Sequence, residues 1–438
     1  MCANNTHFME RKNVIELTKW KRNTYRMPLL VSGARQVGKT HSILSFGAKE
    51  YKNVVNINFE LNKSCRDIFL QNLDPHRIIR EISVQTGETV FPHETLLFFD
   101  EIQSCPAALN ALKYFFEKMP DYHIIAAGSL LGVALHREDF SFPVGKVMQM
   151  RMYPLDFEEF LWAHSQHEAV KLIRECFVEN RQCFSHQTLM EYYLLYLQTG
   201  GMPQVVNHYL ENKDFIFARA LQQNIITNYI ADMGKYSTPA LTSKTIAVFL
   251  SIPSQLAKEN HKFQFKIIKS GARAKDYQES IDWLFNSDII RKCTMVSAGH
   301  FPLSAFANPT FYKAYLSDVG LLAAQYQIPE AAFLSSFSAF DNIKGTLAEN
   351  YVMNALVFSG YEPFYWESEG KAEVDFVIQD NAGNILPIEV KSSENVKAKS
   401  LKVFRQRFNP PTVYRISTKN FGFEGGIKSI PLYAVFCI

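Results

Sequence analysis

A large excess of one sign of charge is missing from this 438-residue sequence, where 46 Lys and Arg face 43 Asp and Glu for a balance of +3. No overall positive field therefore marks it for nucleic acid, although a balanced sum leaves opposed local patches open. Cysteine is also scarce. The seven (Cys2, Cys65, Cys105, Cys176, Cys183, Cys293, Cys437) lie far apart without a CxxC pair, which argues against a zinc module and for free thiols in a reducing compartment. Long apolar runs are lacking too: Ile124 to Leu135, the longest low-charge stretch, is too short to span a bilayer. The first ten residues have no charged head followed by an apolar core, so no signal peptide is expected. A soluble, cytoplasmic protein with no membrane association follows. Hydrophobic residues at 47% and charged residues at 20% exclude a disordered chain, and the length asks for about three domains at roughly 150 residues each.

The strongest local signal is Gly33-Ala34-Arg35-Gln36-Val37-Gly38-Lys39-Thr40, a GxxxxGK[ST] pattern after the apolar run Pro28–Val31. A strand feeding a glycine loop that opens a helix aims successive N–H groups at phosphate oxygens, and the helix N-terminus adds a positive end. Lys39 is suited to the β- and γ-phosphates of ATP, and the Thr40 hydroxyl to Mg²⁺. The second signal is Thr95-Leu-Leu-Phe-Phe99 ending in Asp100-Glu101. Acids at the C-terminal end of a buried strand lie where open α/β sheets bind ligands. Asp100 is the candidate Mg²⁺ ligand and Glu101 the group that polarises the attacking water. A third strand, Tyr122–Ala127, leads into Gly128-Ser129; if it lies beside the phosphate-loop strand, Ser129 reaches toward the γ-phosphate.

These blocks, GARQVGKT, LLFFDEIQ, AAGSLLG and SFPVGKV followed by YPLDFEEFL, resemble the AAA-type ATPase domain of prokaryotic proteins that also carry the DUF4143 region. The resemblance covers roughly residues 10 to 165 and implies an additional-strand P-loop sheet. Arg35 and Arg137 are candidates for an arginine finger, each equally suited to a surface ion pair.

From Phe160 to about Tyr236 the spacing turns helical. Gly200 and Gly201 stop one helix and Pro203 suits the first turn of the next. The GGMP block and Asn228–Met233 look like the start of the DUF4143 region, with a packing role. Between Ala257 and Lys275 stand six bases (Lys258, Lys262, Lys266, Lys269, Arg273, Lys275) and one acid, Glu259. Ser270 to Leu284 reads as a turn and an amphipathic helix, and Ile289–Val296 with Phe311–Leu316 as a wing. A winged helix touching DNA through a basic recognition helix is one reading, and a solvated basic face the other.

The last hundred residues hold a second constellation. Glu373-Val-Asp375-Phe-Val-Ile378, a turn over Gln379–Asn384, and Ile385-Leu-Pro-Ile-Glu389-Val-Lys391 form a predicted hairpin. Alternation sends Glu389 and Lys391 to one face, where Asp375 meets them across the hairpin. Two carboxylates and an amine on one face are costly unless a cation and an anion join them. Asp375 and Glu389 are candidate ligands of a divalent metal, and Lys391 the group that orients water. The pattern is similar to the PD-(D/E)xK restriction-endonuclease-like core, and the resemblance implies that Glu349 is its helix-borne acid. Residues 341 to 390 hold two bases and nine acids, whereas 391 to 420 hold eight bases and one acid.

The expected architecture is α/β: an ATPase domain (1–165), a helical connector (166–240), a winged-helix-like domain (241–330) and a nuclease-like domain (331–438). The expected function is ATP turnover coupled to binding or metal-dependent cleavage of nucleic acid, with DNA favoured. The alternative is a regulatory ATP switch or remodelling protein whose nuclease-like domain only binds. A homo-oligomer is compatible with either.

Overall fold

The computed structural model describes residues 9–134, 142–235, 237–258, 261–334, 341–368, 372–392 and 399–438. Arg137 and Glu259 lie outside the described residues. The chain divides into two units, one of Arg11–Tyr153 with Asn286–Asp288 and one built mainly from Pro154–Phe285 and Ile289–Ile438.

The first unit is organised by five parallel strands, β1 (Leu29–Ser32), β2 (Asn53–Asn58), β3 (Thr95–Asp100), β4 (His123–Ala127) and β5 (Met148–Arg151), in the order β2-β3-β4-β1-β5. All six residues of β3 and all five of β4 are buried, the continuous apolar run expected of strands covered on both faces. Phe59, Phe69 and Phe99 pack with ring centroids 5.6 to 5.7 Å apart. The helices Pro75–Thr86 and Pro106–Lys118 add Ile78, Ile82, Leu109, Leu112 and Phe115 to the same core. Because β4 lies between β1 and β3, the ends of the phosphate-loop strand, the Ser129 strand and the acidic strand stand in a row.

The second unit begins with helices. Asp156 and Glu159 form a reciprocal capping box that starts Phe157–Ala163. The segment YPLDFEEFL crosses the division between the two units after Tyr153. Gly200 has φ +68, and a Cβ there would stand 2.2 Å from Asp318 Oδ1. Leu155 N–H donates to the Gly201 carbonyl at 2.7 Å, so the Gly-Gly step is a packing joint within this unit.

Eight strands complete it: β6 (Ile290–Val296), β7 (Ala307–Leu316), β8 (Phe364–Ser368), β9 (Ala372–Gln379), β10 (Ile385–Lys391), β11 (Val413–Ser417), β12 (Gly422–Glu424) and β13 (Ile427–Pro431). Their order is β12-β13-β11-β10-β9-β8-β6-β7. The expected hairpin forms, with Ile388 opposite Phe376 and Ile385 opposite Gln379. The two strands expected as a wing also pair, yet β6 pairs on its other side with β8, Thr294 to Val296 against Phe364 to Trp366. Residues 241–330 are thus no separate winged-helix domain, because the buried aromatics of β8 supply β6 with a second edge. The six bases do not share one recognition helix either: they are spread over a loop, the short helix Phe265–Ile268 and the helix Ala274–Asn286. No helix among the described residues is long and apolar enough to cross a membrane, and the described cysteines form no disulfide.

Candidate functional sites

In the first unit the chain leaves β1 through Gly33 (φ +142), Gln36 (φ +68) and Gly38 (φ +91), and the helix Lys39–Glu50 starts at once. A Cβ on Gly33 would lie 2.1 Å from the Met152 carbonyl oxygen, so the loop folds back against the residue that follows β5. Gly33→Ala is expected to cost about 2 kcal/mol or more from overpacking and backbone strain. Urea unfolding checks this, and an unchanged midpoint contradicts the close approach. Ala34 and Val37 are buried under the loop, and Arg35 is half-buried.

Lys39 is 8% exposed and donates to the carbonyls of Gly33 and Ala34 at 2.8 and 2.9 Å. Burial pulls its ammonium down to about 8, against the nearby Glu101 and Asp100 carboxylates. A polyphosphate beside it would favour the charged form further. The Thr40 hydroxyl lies 3.2 Å from each Asp100 oxygen, and Asn58 donates to Asp100 Oδ2 at 3.1 Å. Burial, with Glu101 adding to it, raises the Asp100 carboxyl above its ordinary value, while Thr40 and Asn58 oppose. Glu101 sits in the left-handed region at φ +52 and accepts from Gln103 Nε2 at 2.5 Å. Gln103 in turn lies where a Cβ on Gly128 would go, 2.2 Å from its Oε1. Ser129, 7% exposed, follows directly. The predicted residues of the first unit thus gather at the C-terminal ends of β1, β3 and β4.

In the second unit Asp375, Glu389 and Lys391 line one open cavity of about 510 Å³, with Lys258, Glu373 and Ser400 also in its wall. Lys391 Nζ lies 3.0 Å from Glu389 Oε1. Glu389 is 3% exposed, and its Oε2 has no hydrogen-bond partner among the described residues. Asp375 Oδ2 accepts from the Val390 N–H at 2.7 Å. Burial first, and then Glu349, push the Asp375 carboxyl up to about 7.

Glu349, from the helix Asp341–Phe358, is turned to other partners. Its Oε2 lies 2.8 Å from His261 Nδ1, 3.1 Å from the Tyr315 hydroxyl and 3.9 Å from Lys313 Nζ. Burial works to raise Glu349, but Lys313 and His261 outweigh it and hold the carboxyl below its ordinary range. Among the described residues no group of three or more His, Cys, Asp or Glu stands ready to hold a metal ion. Asp375 and Glu389 are a two-carboxylate seat with one buried oxygen left over.

Comparison with protein families bears directly on the first of these sites. Residues 25–161 match the model described as an AAA domain. This chain contains an AAA domain. Residues 344–435 match a domain of unknown function, DUF4143, and residues 190–332 match another, DUF8612. The GGMP block and Asn228–Met233 therefore belong to the DUF8612 match and not to the start of DUF4143. A search of curated proteins finds no match. Among solved structures the chain is similar to the Walker-type ATPase PABY2304 of Pyrococcus abyssi (14% identity, TM-score 0.45, 73% of this chain and 96% of that one). It is also similar to the Aeropyrum pernix ORC2 protein (11%, 0.36, 76% and 98%) and to AMPPCP-bound DnaA from Aquifex aeolicus (13%, 0.29, 61% and 84%).

In the first unit the sequence reading missed three residues. Arg11 donates to the Val37 carbonyl at 3.2 Å and the Tyr153 carbonyl at 2.7 Å, which ties the phosphate loop to the end of the domain. Asn58 and Gln103 hold the two acids. Asn58 ends β2 one strand from Asp100, and that position at a strand's C-terminal end was the available signal. In the DUF4143 region and its surroundings, Lys313, Glu373, His261 and Tyr315 were missed. Only Glu373 had a signal, two residues before Asp375 on the same face.

Proposed function

We propose that this chain is an ATP-hydrolysing protein whose AAA domain governs a metal-dependent, nucleic-acid-directed centre in the DUF4143 region, with DNA as the favoured substrate. The observation that carries the second half is the buried, unpartnered Glu389 Oε2 beside Asp375 and Lys391 on the wall of an open cavity.

In the AAA domain, Lys39 releases the Gly33 and Ala34 carbonyls and takes phosphate oxygens in their place, while the loop N–H groups hold the rest of the triphosphate. Thr40 and Asp100 suit Mg²⁺, since a hydroxyl and a carboxylate converge within 3.2 Å. Glu101, oriented by Gln103, accepts the proton of the attacking water, and Ser129 donates toward the γ-phosphate. At the DUF4143 centre, Asp375 and Glu389 hold a divalent cation, which when bound supplies charge neutralisation at a phosphodiester and a more acidic water. Lys391 would orient the attacking water and offset developing negative charge. Glu349 acts through Asp375 by its charge and does not enter the cavity wall. Lys258 and Lys391 at the cavity, with the exposed Lys266, Lys269 and Arg273, supply phosphate-attracting charge.

Double-stranded DNA is expected to raise the rate of phosphate release from ATP several-fold at low salt and to bind with an affinity that falls steeply between about 50 and 200 mM salt. Neither stimulation nor salt-sensitive binding would favour the ATP switch or remodelling reading instead.

A further inference from the structure

The nuclease-like centre contains a lysine that its motif does not call for. Lys313 comes from β7, is 1% exposed, and places its ammonium 2.5 Å from Glu373 Oε1 and 3.9 Å from Glu349 Oε2. Glu373 and Asp375 are two residues apart on β9 and share a face. The ammonium thus lies among acids that come from a strand and from the helix behind it. An ammonium so deeply buried persists only when carboxylates surround it.

Its position is also fixed. β7 pairs with β6 on one side, with Lys313 opposite Cys293, and Lys313 is bridged on the other side to Lys262. Lys262 in turn is ion-paired to Glu367 of β8. Pairing with β6 on one flank and this single bridge on the other hold the Lys313 backbone in register.

Glu373, Asp375 and Glu389 line the cavity with Glu349 outside its wall, and a pair of divalent ions would have to draw on all four. Lys313 takes Glu373 and Glu349, and His261 and Tyr315 complete the shell of Glu349. Lys391 takes one oxygen of Glu389. What is left is Asp375 and the unpartnered Glu389 Oε2.

We infer that Lys313 is a built-in cation standing where a second divalent ion would sit, so that the centre takes a single metal ion, at Asp375 and Glu389. The inference rests on the metal-dependent reading proposed above and adds its stoichiometry.

The test counts Mn²⁺ on the nucleotide-free full-length chain by electron paramagnetic resonance. The unaltered chain is expected to bind about one Mn²⁺ that Asp375→Asn loses, with an uncoupled spectrum at saturation. Lys313→Met, with its acids no longer compensated, is expected to bind about two, to melt at lower temperature without Mn²⁺ and to recover when it is added. Two Asp375-dependent ions on the unaltered chain, or a spin-coupled pair, would overturn the Lys313 inference and leave the metal reading standing. No Asp375-dependent ion at all would overturn both. A folded Lys313→Met chain that still holds one ion would also overturn the inference. If that variant does not fold, the spectrum of the unaltered chain decides.

Discussion

Lys39→Ala is expected to lower ATP turnover by at least about 10³-fold. The side chain is buried, and its ammonium donates to the carbonyls of its own loop, Gly33 and Ala34. Those contacts exchange for phosphate oxygens, so the substitution removes a full charge from the transferring group while deleting two replaceable hydrogen bonds from the fold. A second variant separates binding from chemistry. Glu101→Gln keeps the loop, Lys39 and Thr40, and is expected to bind a fluorescent nucleotide within about threefold of the unaltered protein while losing hydrolysis by about 10²-fold or more. Phosphate release and nucleotide titration check both. Undiminished turnover in Lys39→Ala would refute the assignment of the phosphate loop, and equal losses of affinity in both variants would refute the distinct role of Glu101.

Lys391→Ala should reduce magnesium-dependent nicking of plasmid by about 10²-fold or more. The ammonium is 3.0 Å from Glu389 Oε1 on the cavity wall and is the sole base that the motif places beside the two acids. Its removal leaves Glu389, 3% exposed, without this ion pair. A loss of activity could then reflect a shifted carboxylate, and Lys391→Met in parallel with Lys391→Arg distinguishes the cases. Arginine restores the charge but not the compact point geometry of an ammonium, so partial rescue marks an electrostatic role. Equal nicking by the unaltered protein and Lys391→Ala, with or without ATP, would sink the cleavage assignment and leave a domain that binds without cutting.

What the sequence made legible was what lies close together along the chain. The phosphate loop, the acidic end of β3, Gly128-Ser129 and the Asp375–Lys391 hairpin each fit within about twenty residues, and the periodicity of a strand or the turn of a glycine decides their geometry locally. The partners of those groups come from elsewhere. Arg11 reaches the loop from 26 residues upstream, and Lys313 meets Glu373 from a strand that carries no motif. A lysine between Tyr312 and Ala314 in a strand pattern reads as an ordinary alternating residue, and only the sheet order turns it toward the acids. The wing was misread for a related reason. The β6–β7 hairpin is visible from its sequence, but the strand that occupies its free side, β8, lies beyond a whole helix. Glu349 was found by family resemblance and sits near Asp375 in electrostatic terms, yet its hydrogen bonds go to His261 and Tyr315, which no local pattern forecasts.

The eight-stranded order also bears on how such a protein can be inherited. Residues 344–435 are a separate family match, but β6 and β7 lie outside it and still close one side of the sheet. A gene rearrangement that carried off the C-terminal hundred residues alone would leave β8 with a bare edge at Phe364, Tyr365 and Trp366, the kind of edge that seeds association between chains. It would also leave Lys313 behind. A segment that keeps this sheet closed therefore starts no later than Ile290, and it carries Lys313 along with the acids.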